Sequence, residues 1–329
     1  MITLVLNLFI LLNLLMNFYQ SKIWRYINEN IYKKPVFELE IFWKKYWWIE
    51  KQHKKFGIWF SWFQILWVKF PSISEEEIKA ELKKVKSTFW KWNNIFFQFG
   101  FINQLEEPFF ENRKNIEKFL KQYDLCPSIR ENMPLATVEI DLTKSEEDLY
   151  KNFSKTAKRY INKWKKLGLI FTKGSDEDIE KFYKIWADIA RFKWFYIYDY
   201  ITYKNLLDYL EDTNNGWLYV VKDEKGQIYA GNIFIINQWL GVYLYGAANR
   251  NFQKIGPDYF LKWELFKFLK NNWVKKIDLL WISPFWYENH HLKWVTQAKK
   301  ALWGKIIEYW GNYDLPLNKI GYRILKSIK

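Results

Sequence analysis

The sequence predicts an α/β protein built from two domains, and three observations carry that expectation. At 329 residues the chain is long for one core and suits two domains of roughly 150 residues each; half of it is apolar, enough to fill both. Aromatic and β-branched runs alternate with segments of helical periodicity along nearly the whole length. The second half reads β-α-β-α-α-β-β-β-α-β, an order that builds an α/β unit around a largely antiparallel meander.

Residues 2–16, ITLVLNLFILLNLLM, form an apolar run broken by Asn7 and Asn13. It has no basic flank or small-residue cleavage site, and it falls short of the ~20 residues that span a bilayer. It reads as sequence upstream of the true start, as a buried first helix, or as a weak membrane tether. NFYQSKIWRYINENIYKK then reads as a short strand or turn feeding a helix, and residues 34–71 as strands paired in a meander. Ser74 opens a helix with glutamates in its first turn and lysines in its last, which suits the helix dipole. NNIFFQFGFIN is a strand and Glu111–Tyr123 a helix, after which Pro127 and Pro134 mark a crossing into the second unit.

There, ATVEIDL is a strand and residues 145–168 a single helix that Gly168 ends as a C-terminal cap. LIFTKG, two helices over residues 176–192 and 203–213, and the strands WLYVVKD, IYAGNIFIINQ and GVYLYGAA follow, the first two strands turning near Gly226. Pro257 starts the next helix and KKIDLLWIS is the strand after it.

Net charge is +15, from 51 Lys+Arg against 36 Asp+Glu, which favours a polyanionic partner, although an AT-rich genome also loads a protein with lysine. One cysteine, Cys126, excludes an internal disulfide and points to a reducing compartment. The three histidines, His53, His290 and His291, have no ligand spacing with it, so no metal site is expected. Glycine at its usual ~7% would supply about 23 residues. The chain has only 13 glycines beside 21 tryptophans.

Four stretches in order, NFYQSKIW, ATVEIDLTKSEEDLYKNFSKTAKRYINKWKKLGL, residues 231–283 and LKWVTQAKKALWGKIIEYWGNYD, resemble the Fem-type (FemABX) aminoacyltransferases that build peptidoglycan cross-bridges, a branch of the acetyltransferase-like (GNAT) superfamily. The resemblance implies two tandem GNAT-type domains without a coiled-coil arm. Residues 17–134 with 306–329 would form the first and 135–305 the second, with a substrate slot enclosed between the two. It also implies the reaction: an amine of a peptidoglycan stem peptide, on UDP-MurNAc-pentapeptide or lipid II, attacks the ester joining an amino acid to its tRNA. Aminoacyl-tRNA would be the co-substrate, with no cofactor. The protein would act as a monomer in the cytoplasm, or peripherally at the inner face of the membrane.

The family segment in which a Phe-Lys pair precedes a Gly-rich turn is similar to VTQAKKALWG, which implies Lys299 as the catalytic cation. Ala298 stands where the Phe is expected, and Lys300 is the neighbouring alternative. The resemblance further implies substrate contacts at Gln20, Trp24, Arg191, Tyr196, Tyr198, Tyr243 and Tyr245, the last two alternating on one strand and therefore facing one side. Asn28 replaces a phosphate-binding lysine of the family pattern, and Asp258 and Asp278 are the carboxylates nearest the implied site. Lys155, Lys158, Arg159, Lys163 and Lys166 fall largely along one side of a helix, a track for tRNA phosphates or else a solvated face. An acyl-CoA-dependent N-acetyltransferase, from QKIGPDYF before a helix, and a non-catalytic RNA-binding protein are the rival readings.

The family pattern commonly has glycine where this chain has Trp194, Trp273, Trp281, Trp294 and Trp303. Some bacteria read UGA as glycine, so a UGA codon translated conceptually as tryptophan would account for the counts. The alternative is a set of aromatic platforms that stack on RNA bases.

Overall fold

The computed structural model describes residues 20–55, 58–287 and 290–327; the apolar run at 2–16 lies outside them. Two compact units emerge. One runs to Leu135 and takes in Pro284–Tyr287 and the chain from Glu308; the other comprises Ala136–Ser283 and the stretch ending at Ile307.

In the first unit, Ser21 caps helix α1 (Lys22–Tyr26) by accepting from Trp24 N at 3.2 Å, and the chain continues as a π-helical turn over Ile27–Ile31. Strands β1 (Val36–Ile41), β2 (Lys44–Lys55) and β3 (Ile58–Val68) form the expected antiparallel meander. Helix α2 (Glu75–Phe89) begins in a capping box in which the Ser74 side chain and Glu77 satisfy each other's backbone N–H. It crosses to β4 (Asn94–Gln104), parallel to β3; after α3 (Phe109–Lys121) and the short β5 (Cys126–Pro127), the returning β12 (Lys305–Pro316) pairs antiparallel with β4. Helix α10 (Lys319–Ser327) closes the described chain.

β4 is buried on both faces. Phe97, Phe99 and Phe101 pack against Leu82, Val85 and Phe89 of α2, whereas Phe96 faces Trp62 and Tyr322. Such a strand reads as a continuous apolar run rather than an alternation.

The second unit orders its sheet β6 (Ala136–Asp141), β11 (Lys276–Asp278), β10 (Leu240–Ala248), β9 (Ile228–Asn237), β8 (Gly216–Lys222), β7 (Ile170–Lys173), with β10 and β11 parallel and every other neighbouring pair antiparallel. Its helices are α4 (Glu146–Asn152), α5 (Lys155–Lys166), α6 (Asp176–Lys193), α7 (Tyr200–Asp212), α8 (Pro257–Asn271) and α9 (Lys293–Lys300). Each unit is thus a sheet flanked by helices, the arrangement expected of two acetyltransferase-like domains.

Three local readings differ. The helix expected over 145–168 is two: Phe153 is extended and buried, and Ser154 caps α5 by accepting from Ala157 N at 3.1 Å. The strand expected over KKIDLLWIS ends at Asp278, because Leu280 has φ 53° and leaves the ladder. Finally, a bulge between Tyr243 and Tyr245 breaks the period of two.

Five tryptophans have left-handed backbone, a region that a bulky L-residue enters only at a steric cost: Trp43, Trp67, Trp194, Trp273 and Trp303, with φ between 52° and 65°. Phe42 and Trp43 form the two-residue loop between paired Ile41 and Lys44, a type I′ position that favours glycine. Trp67 lies within the register shift between Ile65 and Val68. Trp273 occupies the C′ position of a Schellman motif: Val274 N donates to Leu269 O at 3.1 Å and Trp273 N to Lys270 O at 3.2 Å. Trp194 ends α6 in the same way, with Phe195 N on Ala190 O at 3.1 Å. Trp281 and Trp294 are not among the left-handed residues, and Trp294 lies inside α9.

Candidate active site

Lys299 is the penultimate residue of α9, and it is buried while Lys300 is exposed, so the helix turns the first of the two inward. Its Nζ donates to the carbonyl oxygens of Leu280 at 2.7 Å and Trp281 at 3.0 Å. One turn earlier, Thr296 ties the same loop to the helix: its Oγ1 accepts from Ser283 N at 2.7 Å and donates to Leu292 O at 2.9 Å.

Burial holds the Lys299 amine far below the usual lysine range, down to about 7. Lys262 pushes in the same direction, against the pull of Asp278 and Asp258. The group is therefore poised between ammonium and amine near neutrality. Asp278 is pushed up to about 6, mainly by burial, although it accepts from Thr137 Oγ1 and from Leu280 N at 2.7 Å.

Helix α8 supplies the remaining charges. Lys262 is buried and paired with Asp258 one turn before it, and the Asp258 carboxylate accepts from the Tyr243 hydroxyl at 3.0 Å. The Lys262 ammonium also sits 4.8 Å from the centre of the Tyr243 ring. Burial, and then Asp258, hold the Tyr243 hydroxyl well above its ordinary range, so it remains a protonated donor. Lys299 with its loop, and Tyr243–Asp258–Lys262, form two hydrogen-bonded groups in one electrostatic neighbourhood. Among the described residues no group of acids, histidines and cysteines could hold a metal ion.

The other sequence-derived residues are spread more widely. Tyr243 faces α8, but the bulge sends Tyr245 to the aromatic rings of Trp186 and Tyr203 on α6 and α7, so the expectation of one shared face does not hold. Arg191 and Tyr196 are exposed; Tyr196 packs edge-on against Tyr198, whose carbonyl accepts from Tyr183. Gln20 lies in the first unit with both ends of its amide bound to backbone: it donates to Trp47 O and Leu66 O and accepts from Trp47 N. Trp24 lines a small pocket with Gln20, Arg25, Asn28 and Gln64.

On α5, Lys155, Arg159, Lys163 and Lys166 are exposed and Lys158 half-buried, while Ala157, Ile161 and Trp164 form the opposite, buried face. Lys158 reaches back to Lys151 O at 2.6 Å.

Sequence reading missed Lys262 and, in the first unit, Lys51. Lys51 is lowered to about 8 by burial and by the cations Lys34 and Arg130. Its surroundings in KKYWWIEKQHKK look like a solvated edge, whereas in the fold it is half-buried and donates to Asn132 Oδ1 at 3.1 Å.

Residues 214–329 match the model of the FemAB family. That stretch is about a third of the chain, and there the chain resembles the family. Tyr243, Asp258, Lys262, Asp278 and Lys299 all lie within the matched stretch. The aminoacyltransferase FemA of Staphylococcus aureus, in strains MW2 and NCTC 8325 alike, is 27% identical over 103 residues, which is 30% of this chain and 24% of FemA. The matched stretch thus spans about a quarter of the length of these curated relatives. The crystal structure of FemX aligns with a TM-score of 0.69 at 13% identity, covering 94% of both chains, and so shares the Fem-type fold.

Proposed function

We propose that this protein is a peptidoglycan bridge aminoacyltransferase of the Fem type, and that Lys299 is its catalytic cation. The reading rests on one observation: a lysine at the position the family pattern implies is buried, held by two carbonyls and brought by burial to a pKa of about 7. The acyl donor is an aminoacyl-tRNA and the acceptor the stem-peptide amine of UDP-MurNAc-pentapeptide or lipid II. The amine nitrogen bonds to the ester carbonyl, the carbon–oxygen bond to the tRNA ribose breaks, and the proton lost by the amine ends on the ribose oxygen. An aminoacyl ester is already activated, so juxtaposition and stabilisation of the tetrahedral oxygen supply most of the rate.

An ammonium has three donors. Two of those on Lys299 are engaged by Leu280 and Trp281, and the third serves the developing oxyanion. The exposed cations of α5 supply the sequence-independent attraction for tRNA phosphates. The acyl-CoA reading is weaker, since the first turn of α8 carries the Asp258 carboxylate where a pyrophosphate would sit. No helix among the described residues is long and apolar enough to cross a membrane.

The test is transfer of a radiolabelled amino acid from charged tRNA to each acceptor by wild type, Lys299→Ala and Lys299→Arg, with mass spectrometry of cross-bridges from cells with and without the gene. Loss of transfer in Lys299→Ala with retained tRNA binding is expected. Unchanged transfer by that variant removes Lys299 from the mechanism, and tight acetyl-CoA binding with indifference to aminoacyl-tRNA overturns the activity itself.

A further inference from the structure

The loop that receives the Lys299 ammonium has its own fastening. After β11 the backbone at Leu280 enters the left-handed region, φ 53°, although Leu280 is a buried, bulky residue with no conformational reason to be there. That turn points the Leu280 and Trp281 carbonyls at one ammonium. Regular strand geometry would direct successive carbonyls to opposite sides. What holds the turn is Asp278: its Oδ1 accepts from Leu280 N at 2.7 Å, closing a side-chain turn across two residues, and Thr137 Oγ1 of β6 donates to the same oxygen. On the far side, Leu279 N bonds Val138 O at 2.9 Å and Ile282 N bonds Ala136 O at 3.0 Å, so the turn is braced against β6 at both ends.

We propose that Asp278 is a positioning residue for Lys299: its carboxylate, oriented by Thr137, fixes the left-handed turn at Leu280 whose carbonyls place the ammonium. The proposal rests on the reading of Lys299 as the catalytic cation. Asp278 has two separable effects. Its oxygen sets the geometry of the turn, and its charge favours the ammonium over the amine. The groups that face Lys299 are Asp278 of β11 and Asp258 and Lys262 of α8, with Tyr243 of β10 bonded to Asp258; Glu139 of β6, paired with Lys276, acts on Asp278.

Asp278→Asn keeps an acceptor for Leu280 N–H and removes the charge; Asp278→Ala removes both. Two readouts are taken for each variant in the full-length protein, with thermal unfolding as a check on folding. One is aminoacyl transfer, resolved into kcat and KM across pH. The other is independent of activity: the pH profile of Lys299 acetylation by trace acetic anhydride, measured by mass spectrometry.

Asp278→Ala is expected to lower kcat about a hundredfold with KM for acceptor little changed, the loss that follows when a reacting group is displaced by about 1 Å. Asp278→Asn is expected to recover most of that loss at acid pH and to shift both the alkaline limb of kcat and the acetylation midpoint of Lys299 to lower pH. A kcat within twofold of wild type in both variants, with an unmoved acetylation profile, overturns the proposal. If instead the acetylation profile shifts while Lys299→Ala still transfers normally, Asp278 positions Lys299 as proposed and it is the catalytic reading of Lys299 that fails.

Discussion

The Lys299 ammonium and the Asp278 carboxylate share one residue, Leu280: the first donates to its carbonyl oxygen at 2.7 Å, and the second accepts from its N–H at 2.7 Å. Two buried groups of opposite charge are thus bridged by the backbone of one residue rather than paired directly, so each retains much of its desolvation penalty. That penalty sets the pH dependence of stability. Lys299 titrates near 7 in the folded chain, against about 10.4 when unfolded. Between those values the unfolded state binds more protons, so stability rises with pH. Asp278 titrates near 6, against about 3.9 unfolded; there the folded state binds more protons, and stability falls as pH rises from about 4 to 6. Urea unfolding is expected to show Lys299→Met abolishing most of the gain between pH 7 and 10, and Asp278→Asn flattening the decline below pH 6. A stability curve unchanged by Lys299→Met would mean that the lysine is solvated.

The left-handed tryptophans make a prediction about the gene. Trp43, Trp67, Trp194, Trp273 and Trp303 occupy a type I′ loop, a register shift and three helix ends, positions where glycine is the low-energy residue. The codon at each is expected to be UGA, and peptides from the native host are expected to carry glycine. Trp164 is expected to be UGG, because its indole is buried and donates to Ile255 O at 2.6 Å. UGG at all five sites excludes the idea. In recombinant protein made with tryptophan, Trp273→Gly is expected to stabilise by about 1 kcal/mol through relief of the left-handed penalty, measurable as a rise in the melting temperature. Trp273 is 89% exposed, so little packing is lost in exchange.

Much of this was legible in the sequence, for identifiable reasons. The capping box at Ser74, the Gly168 cap with φ 70° and the meander of β1–β3 are local signals, and local signals survive folding. Most of the second unit's order was equally legible, because each element carries its own period, but the break at Phe153 and the helix Lys293–Lys300 were not. What could not be read is what depends on a partner distant in sequence. The Tyr243–Tyr245 bulge is set by pairing with β9, the turn at Leu280 by Asp278 and Thr137, and the burial of Lys262 by packing of α8. Periodicity reports which face a residue would take in a regular element, and each of these departs from regularity at the site.

The first unit's core yields a prediction free of any functional reading. Phe99 is fully buried in β4 between Phe97 and Phe101, with ring centres 5.0 and 5.7 Å away, and both neighbours are themselves buried. Phe99→Ala is expected to cost about 3–5 kcal/mol, the sum of lost transfer and an unfilled cavity. Phe99→Leu is expected to cost much less. A loss under about 1 kcal/mol in denaturant melts of Phe99→Ala would mean that the strand is not the core element described.

The basic face of α5 separates a phosphate track from a merely solvated helix. Lys155, Arg159, Lys163 and Lys166 are exposed on one side while Ala157, Ile161 and Trp164 anchor the other, so substitutions on the charged side leave the packing intact. If these cations meet tRNA phosphates, binding follows counterion release, and each lost contact reduces the slope of log affinity against log salt by about 0.7–0.9. Lys155→Gln, Arg159→Gln and Lys163→Gln together are expected to reduce the slope by about 2 in filter binding across 50–200 mM salt. Affinity for charged and uncharged tRNA should fall in parallel, because phosphates are common to both. The same substitutions should leave the pH profile of Lys299 acetylation unmoved. A slope unchanged by the triple substitution would assign the charged face of α5 to solvent.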